Sequence, residues 1–446
     1  MSRPVPMRDA ARIGRALAMV VTLAMLPGAG AHADVVALTD ATVHTVSGPT
    51  LEHATVVIRD GRIAAVGADA TVPEGATVVP CAGKQIYPGM IAANTTIGLI
   101  EVSSVLGTND TRETGSINPN VRAEVEVNPE SERIPVTRVN GVTSALVVPQ
   151  GGVIAGTSAL MHLDGWTYED MTVKAPFALH IQWPAMSIVH AWFITQSDEE
   201  QKKEREKNLQ LIRNAFDDAR AYLKAEEAEG RTGVPRHDRD VKWDAMVKAL
   251  KGEIPVVIEC TALNQMRAAL RFCDEQGLKK IVFMGGEDAD KIADELKTRG
   301  ISVICDGALQ LPRRSWEPYD QEMSLAARLW HAGVPFCISD GGGDGMNTRN
   351  LPYEAAMAAA YGLPRDEALK AVTLYPAQIL GVADKLGSIE TGKIADLMVT
   401  NGDPLETETQ VEQVYINGKA ISMETRQTRL FHKYDQRPRG PKARKH

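Results

Sequence analysis

The chain has 446 residues, of which 44% are hydrophobic and 24% charged, and a formal net charge of −8. That composition is globular: it excludes a disordered chain and a polytopic membrane protein, and the acidic balance argues against nucleic acid as a partner. The length suits one large barrel domain with a smaller companion, or two to three ordinary domains.

In chain order, residues 1–33 read as a processing segment. Arg3, Arg8, Arg12 and Arg15 form a basic start, Ala16–Leu26 is apolar, and Ala31-His32-Ala33 is a small-residue cleavage site. About eleven apolar residues are too few to cross a bilayer core about 30 Å thick. The expectation is a cleaved signal peptide, a periplasmic or secreted mature protein and no membrane span after its removal. Its loss takes away four Arg and one Asp, moving the net charge from −8 to −11.

Residues 34–84 read as short strands: Val35–Leu38, Ala41–Val46, Ala54–Arg59 and Arg62–Val66, with Asp60-Gly61 as a hairpin signal. Over 85–385 the pattern alternates. Apolar runs at Ile86–Ala92, Gly141–Val148, Ser158–Leu163, Phe177–Trp183, Pro255–Cys260, Lys280–Gly285, Ser302–Cys305 and Pro335–Ser339 are separated by amphipathic stretches. Near-continuous apolar strands between helices mean a parallel sheet covered by helices, and eight of them fit a closed (β/α)8 barrel. No GxGxxG or Walker motif opens any unit. Residues 197–251 form a Lys/Glu-rich insertion whose long helix carries one apolar stripe, Leu209, Ile212, Phe216, Ala219 and Leu223. Strand character resumes over 386–425, at Ala395–Thr400 and Val411–Ile416, so both ends of the chain are expected to build one small β-sandwich domain. The fold class is therefore α/β, a (β/α)8 barrel with that domain attached. Residues 426–446 are a basic tail, expected to be disordered. Five cysteines without paired spacing imply no disulfide framework, and Cys260, Cys305 and Cys337 read as buried thiols.

Three stretches resemble the amidohydrolase superfamily, within it the imidazolonepropionase-like and dihydroorotase-like branches. They are Gly61–Gly67 followed by Tyr87-Pro88-Gly89-Met90-Ile91; Ile338-Ser339-Asp340; and Thr373–Ala377 running on through Gly387–Leu397. The resemblance implies a hydrolase acting on carbon–nitrogen bonds other than peptide bonds, using water activated by one or two divalent ions. It also implies the ligands: His-x-His on strand one, a carboxylated Lys or Glu on strand four, one His each on strands five and six, and Asp on strand eight. Here the chain departs from the pattern. Asn94 and Thr96 stand at the two strand-one His positions, His180 at the strand-four position, Glu259 at the strand-five position and Gly285 at the strand-six position. Asp340 alone is kept. Amide and hydroxyl groups do not compete with water for Zn²⁺, so the usual pair of ions is expected to be lost.

What the barrel mouth retains is His180, Glu259 and Asp340. They could hold at most one divalent metal such as zinc, or form a metal-free polar site able to transfer protons. Arg112 and Arg122, on the connection after strand one, could clamp a substrate carboxylate, and Asn94 could contact substrate. Two functions follow: a hydrolase of small molecules with a rebuilt site, or a non-catalytic subunit that partners an active amidohydrolase relative. A homo-oligomer or a hetero-oligomer with that relative is expected.

Overall fold

The computed structural model describes residues 35–191, 194–229, 233, 236, 238–343 and 345–437; the expected signal peptide and the last nine residues of the tail lie outside them. Each of the eight apolar runs forms a strand. Strands Met90–Thr95 and Val142–Val147 pair in parallel. Leu179–Gln182, Val256–Cys260, Ile281–Gly285, Ser302–Cys305 and Phe336–Ile338 form a second parallel set in sequence order. The edge strands meet one segment: the Ile91 N–H donates to Val372 O (2.8 Å) and the Ile338 N–H to Ala371 O (3.0 Å).

The third barrel strand departs from expectation. It is a broken strand, Ile154–Thr157 and Ala159–His162, antiparallel to both the second and the fourth. The reason is chain length. Only residues 148–153 separate it from Val147, whereas a parallel crossover needs a dozen or more. A reversal is the one connection that reach allows.

The charged insertion is the barrel's own crossover helix between strands four and five. Asp198–Ala228 starts at a capping box, Ser197 with Glu200, and buries Ile212, Ala215, Phe216 and Ala219. Phe216 meets Phe272 edge-on at 5.2 Å. The Lys and Glu residues cover the opposite, solvated face.

The two chain ends do build one β unit, whose strands form one continuous hydrogen-bonded path around a shared apolar core that includes Leu38, Val56, Ile63, Ile86, Leu397 and Tyr415. Val35–His44 is bent, with register shifts after Leu38 and Ala41; on one edge its first half pairs with Thr77–Pro80 and its second half with Gln85–Pro88. The C-terminal strand Leu397–Thr400 enters against Gln85–Pro88. This sheet and the barrel cluster as one compact unit. Their junction is polar: His162 Nδ1 lies 3.1 Å from Asp396 Oδ2, and the Ser144 hydroxyl donates to the same oxygen at 3.3 Å. Asp396 Oδ1 accepts the Asn417 N–H at 2.8 Å. All five cysteines are buried and free. The tail differs from expectation at its start: Arg426–Asp435 is a helix capped by Thr425, and Arg429 pairs with Glu132.

Candidate active site at the barrel mouth

Polar side chains gather where the parallel strands end. A cavity of about 460 Å³ opens there, lined by Thr96, Asn109, Thr111, Arg112, Gln150 and Gln182 together with glycines of two loops. A larger hollow, about 510 Å³, lies at the opposite end of the barrel beside Lys280 and Ser302, where strands begin. Barrel enzymes place their chemistry at the C-terminal ends of the strands, so the mouth is the candidate site.

Strand one reaches this mouth beneath the loop that follows Asp340. The Thr96 hydroxyl donates to Gly343 O at 2.6 Å, and the Gln150 amide donates to Gly342 O at 2.9 Å. Gly342 has φ +65°, and a Cβ there would stand 2.5 Å from Asn94 Nδ2. The loop backbone therefore lies directly on the two positions where strand-one imidazoles would stand. Only glycine permits that approach.

Glu259 is the penultimate residue of strand five, in register with Gln182 on strand four. Solvent reaches it from the mouth while dense walls crowd its carboxyl. That crowding, then the charge of Asp306, raises its pKa against a hydrogen bond from Gln182. Asp306 follows strand seven directly, and burial raises it too, with Arg313 opposing. Asp340 is buried. Its Oδ2 accepts the Thr348 hydroxyl at 2.9 Å, Thr348 in turn meets Thr95 at 2.7 Å, and Oδ1 has no hydrogen-bond partner among the described residues. Burial pushes Asp340 up to about 6. Glu354 accepts the Leu309 N–H at 2.8 Å and is pushed by burial to about 7. Burial also raises Glu287 and Glu322 to about 7, while Arg313, which pairs with Glu287, opposes both rises.

The structure does not bring His180, Glu259 and Asp340 together as a ligand group. His180 stands opposite Val257, two residues below Glu259 along the strands, or roughly 6–7 Å deeper. Its Nε2 lies 2.7 Å from the Ser158 hydroxyl, and burial depresses its pKa to about 3, so it is a neutral residue of the barrel interior. Among the described residues no three His, Cys, Asp or Glu side chains converge closely enough to hold a metal ion. The donors at the mouth thus do not fit the ions that the fold family uses: Asn94 and Thr96 face a backbone loop, and Gly285 has no side chain.

The two candidate arginines separate. Arg112 lines the cavity, whereas Arg122 is engaged by the buried Glu124, its Nε 2.8 Å and its Nη2 2.7 Å from Oε1. Trp183 packs in the core against Phe272 and Trp166 is exposed; Trp192 and His237 fall outside the described residues. His190 is exposed near Asp198, and His331 packs on Trp330. Sequence reasoning missed Asp306, Arg313, Glu354, Gln150 and Gln182. Asp306 carried a usable signal, since it directly follows an apolar barrel strand.

A barrel of mostly parallel strands, with its titratable groups at their C-terminal ends and a sheet shared by the two chain ends, has the architecture of a βα-barrel enzyme. Comparison narrows this. Residues 258–421 match the family model described as Amidohydrolase family. The crystal structure of an amidohydrolase from Thermotoga maritima is 27% identical, covers 87% of this chain and 99% of its own, and superimposes with a TM-score of 0.78. Amidohydrolase tasK of Hapsidospora irregularis is 26% identical over 373 residues, which are 78% of this chain and 37% of that one. The chain thus spans about a third of the length of that curated relative. A putative prolidase from Bifidobacterium longum, 18% identical with a TM-score of 0.50 over 90% of this chain and 99% of its own, shares the fold. These likenesses support membership of the amidohydrolase superfamily.

Proposed function

We propose that this protein is a hydrolase of carbon–nitrogen bonds other than peptide bonds that works from carboxylates at the barrel mouth rather than from the family's metal pair. The observation that carries the reading is Glu259: it stands next to the end of strand five, is exposed, and shares a hydrogen bond with Gln182, which lines the cavity. A carboxylate with a raised pKa in a cleft is suited to both halves of proton transfer near neutral pH. Glu259 takes a proton from water as the water oxygen bonds to the amide carbon. It returns that proton to the leaving nitrogen as the C–N bond breaks. Asp306, close enough to raise Glu259, and Asp340, with an unpaired oxygen and a pKa of about 6, are the supporting acids. The test is turnover of a panel of small amides and cyclic amides with and without chelator. Glu259→Gln is expected to abolish hydrolysis with the fold intact, and chelator to leave it unchanged. Chelator-sensitive activity recovered by zinc would sink the reading.

A second reading, a non-catalytic subunit partnering an active relative, is favoured by one observation: loops at this mouth expose Leu106, Leu311, Trp316 and Tyr319, apolar side chains suited to a protein partner. It predicts co-purification with a second amidohydrolase and no turnover. For either reading we propose export through residues 1–33, which N-terminal sequencing of the mature protein tests.

A further inference from the structure

We propose that the C-terminal arm, from Arg426 onward, holds this protein on an anionic lipid surface, with Leu430, Phe431 and Tyr434 entering the headgroup layer. The inference is independent of what the barrel mouth does.

The arm begins as a built helix. Thr425 is buried, and its hydroxyl accepts the Thr428 N–H at 3.2 Å, closing the first turn of Arg426–Asp435. Arg429 ties the helix to the body, pairing with Glu132 at 3.1 Å and lying 3.6 Å from Glu424. Yet none of the ten helical residues is buried. Phe431 and Tyr434 keep 66% and 61% of their surface in water, and Leu430 keeps 38%. With about 3.6 residues per turn these three share one arc of roughly 100°. Arg426, Arg429 and Lys433 occupy the adjoining arc. The Arg437 N–H donates to Tyr434 O at 3.1 Å, adding a further turn on that side. Arg426, Lys433 and Arg437 have no ion pair among the described residues. A helix with aromatic and aliphatic residues on one arc, and Lys and Arg along its border, is the form that lies in the plane of a membrane interface.

Charge sets the arm apart from the rest of the chain. Residues 426–446 hold eight Lys or Arg and one Asp, or +7; the whole chain is −8, so the remainder carries −15. At a screening length of about 10 Å a surface senses the local cluster rather than the distant acidic body. Clusters of roughly four to eight Lys and Arg on or beside an amphipathic helix bind anionic headgroups. A ten-residue helix is about 15 Å long and cannot cover the roughly 800 Å² that a protein partner's interface needs on each side. A lipid surface asks for no matching shape. Nucleic acid would pair with the cations but leave Leu430, Phe431 and Tyr434 in water.

The test uses the chain from Asp34, which clusters as one compact unit, because the apolar run Ala16–Leu26 would bind lipid by itself. It is floated with vesicles of phosphatidylcholine alone, and of phosphatidylcholine with about a quarter phosphatidylglycerol to supply the negative surface. The expected result is capture by the anionic vesicles only, with release as NaCl rises from about 0.1 to about 0.5 M. Arg426→Gln with Lys433→Gln and Arg437→Gln should weaken binding about a hundredfold, at about fivefold per basic side chain. Phe431→Ser with Tyr434→Ser should weaken it at least about tenfold, through lost apolar contact. All five positions are exposed, so the variants should fold, and an unchanged thermal melt checks that they do. Equal capture by neutral vesicles, no capture by anionic ones, or wild-type capture in either variant would overturn the assignment. So would a DNA duplex bound at a lower phosphate concentration than the vesicles, or a lipid-free dimer that these variants dissolve.

Discussion

Putting histidine back at both strand-one positions, Asn94→His with Thr96→His, should damage the protein rather than restore a metal pair. The magnitude follows from the loop above them. A Cβ on Gly342 would already stand 2.5 Å from Asn94 Nδ2 and 2.8 Å from Asn94 Cγ, so a larger ring at position 94 must push the loop backbone outward. Overpacking of that kind costs about 1–3 kcal/mol. The Thr96 hydroxyl loses its 2.6 Å contact with Gly343 O, a further 1 kcal/mol or so. Together the double variant should lose about 2–4 kcal/mol, read as a lower urea midpoint. Mass spectrometry of the natively purified variant should find no bound metal pair, because Glu259 and Gly285 still stand at the strand-five and strand-six positions. A double variant as stable as its parent and carrying two zinc ions per chain would refute the argument, since the loop would then not occupy the space we assign to it.

Three further outcomes are expected. Gly89→Ala should be severely destabilising: a Cβ there would stand 2.2 and 2.3 Å from the Oγ1 and Cγ2 atoms of the buried Thr143, and a melt within a degree of wild type would contradict this. Asp396→Asn should cost about 3–5 kcal/mol, as expected for a buried pair left with one partner, since His162 and Asp396 are 7% and 4% exposed. Burial opposes the charge on His162, but Asp396 outweighs it and the pKa is raised. The pair's contribution is therefore full below the ordinary value of 6.5 and lost as pH rises through the folded value; thermal melts across that range should show this slope in the wild type and not in Asp396→Asn. Glu354 titrates the other way round for an acid, with burial raising it from 4.5 to about 7. Its folded form holds a proton that the unfolded chain has released, so stability falls as pH rises from about 4.5 to 7. Glu354→Gln should match wild type in stability at pH 4 and exceed it by up to about 3 kcal/mol at pH 8; equal stability at both pH values would show that the carboxyl is well solvated.

Sequence and structure divide the account at identifiable residues. The eight barrel strands were legible because a strand covered on both faces is an apolar run whatever it packs against. The return of the C-terminal segment into the N-terminal sheet was legible in Gly387–Leu397; that Asp396 within it meets His162 and Ser144 of the barrel is a fact of the structure. The direction of the third strand was not read, although the short stretch 148–153 contained the reason. The stripe on Asp198–Ala228 announced a packed helix, but only coordinates show that it is the barrel's own crossover and not an appendage.

At the mouth the line falls more sharply. That strand one lacks imidazoles is a matter of residue identity, decided by Asn94 and Thr96 without any coordinates, because an amide or hydroxyl is a poor zinc ligand wherever it points. What stands in that space instead is a matter of distance. Gly342 and Gly343 come from almost 250 positions further along the chain, and no local pattern reports where a loop will settle. His180 read as a ligand because a strand position fixes which face a side chain takes but not its depth or company; enclosure and a single hydroxyl partner make it neutral and inert. Arg112 and Arg122 were equivalent as letters, and they part because Glu124 happens to lie beside one and not the other. Chemistry that depends on what a residue is could be read from the order of residues alone. Chemistry that depends on which groups approach within a few ångströms, and with how much water between them, was settled by the tertiary fold.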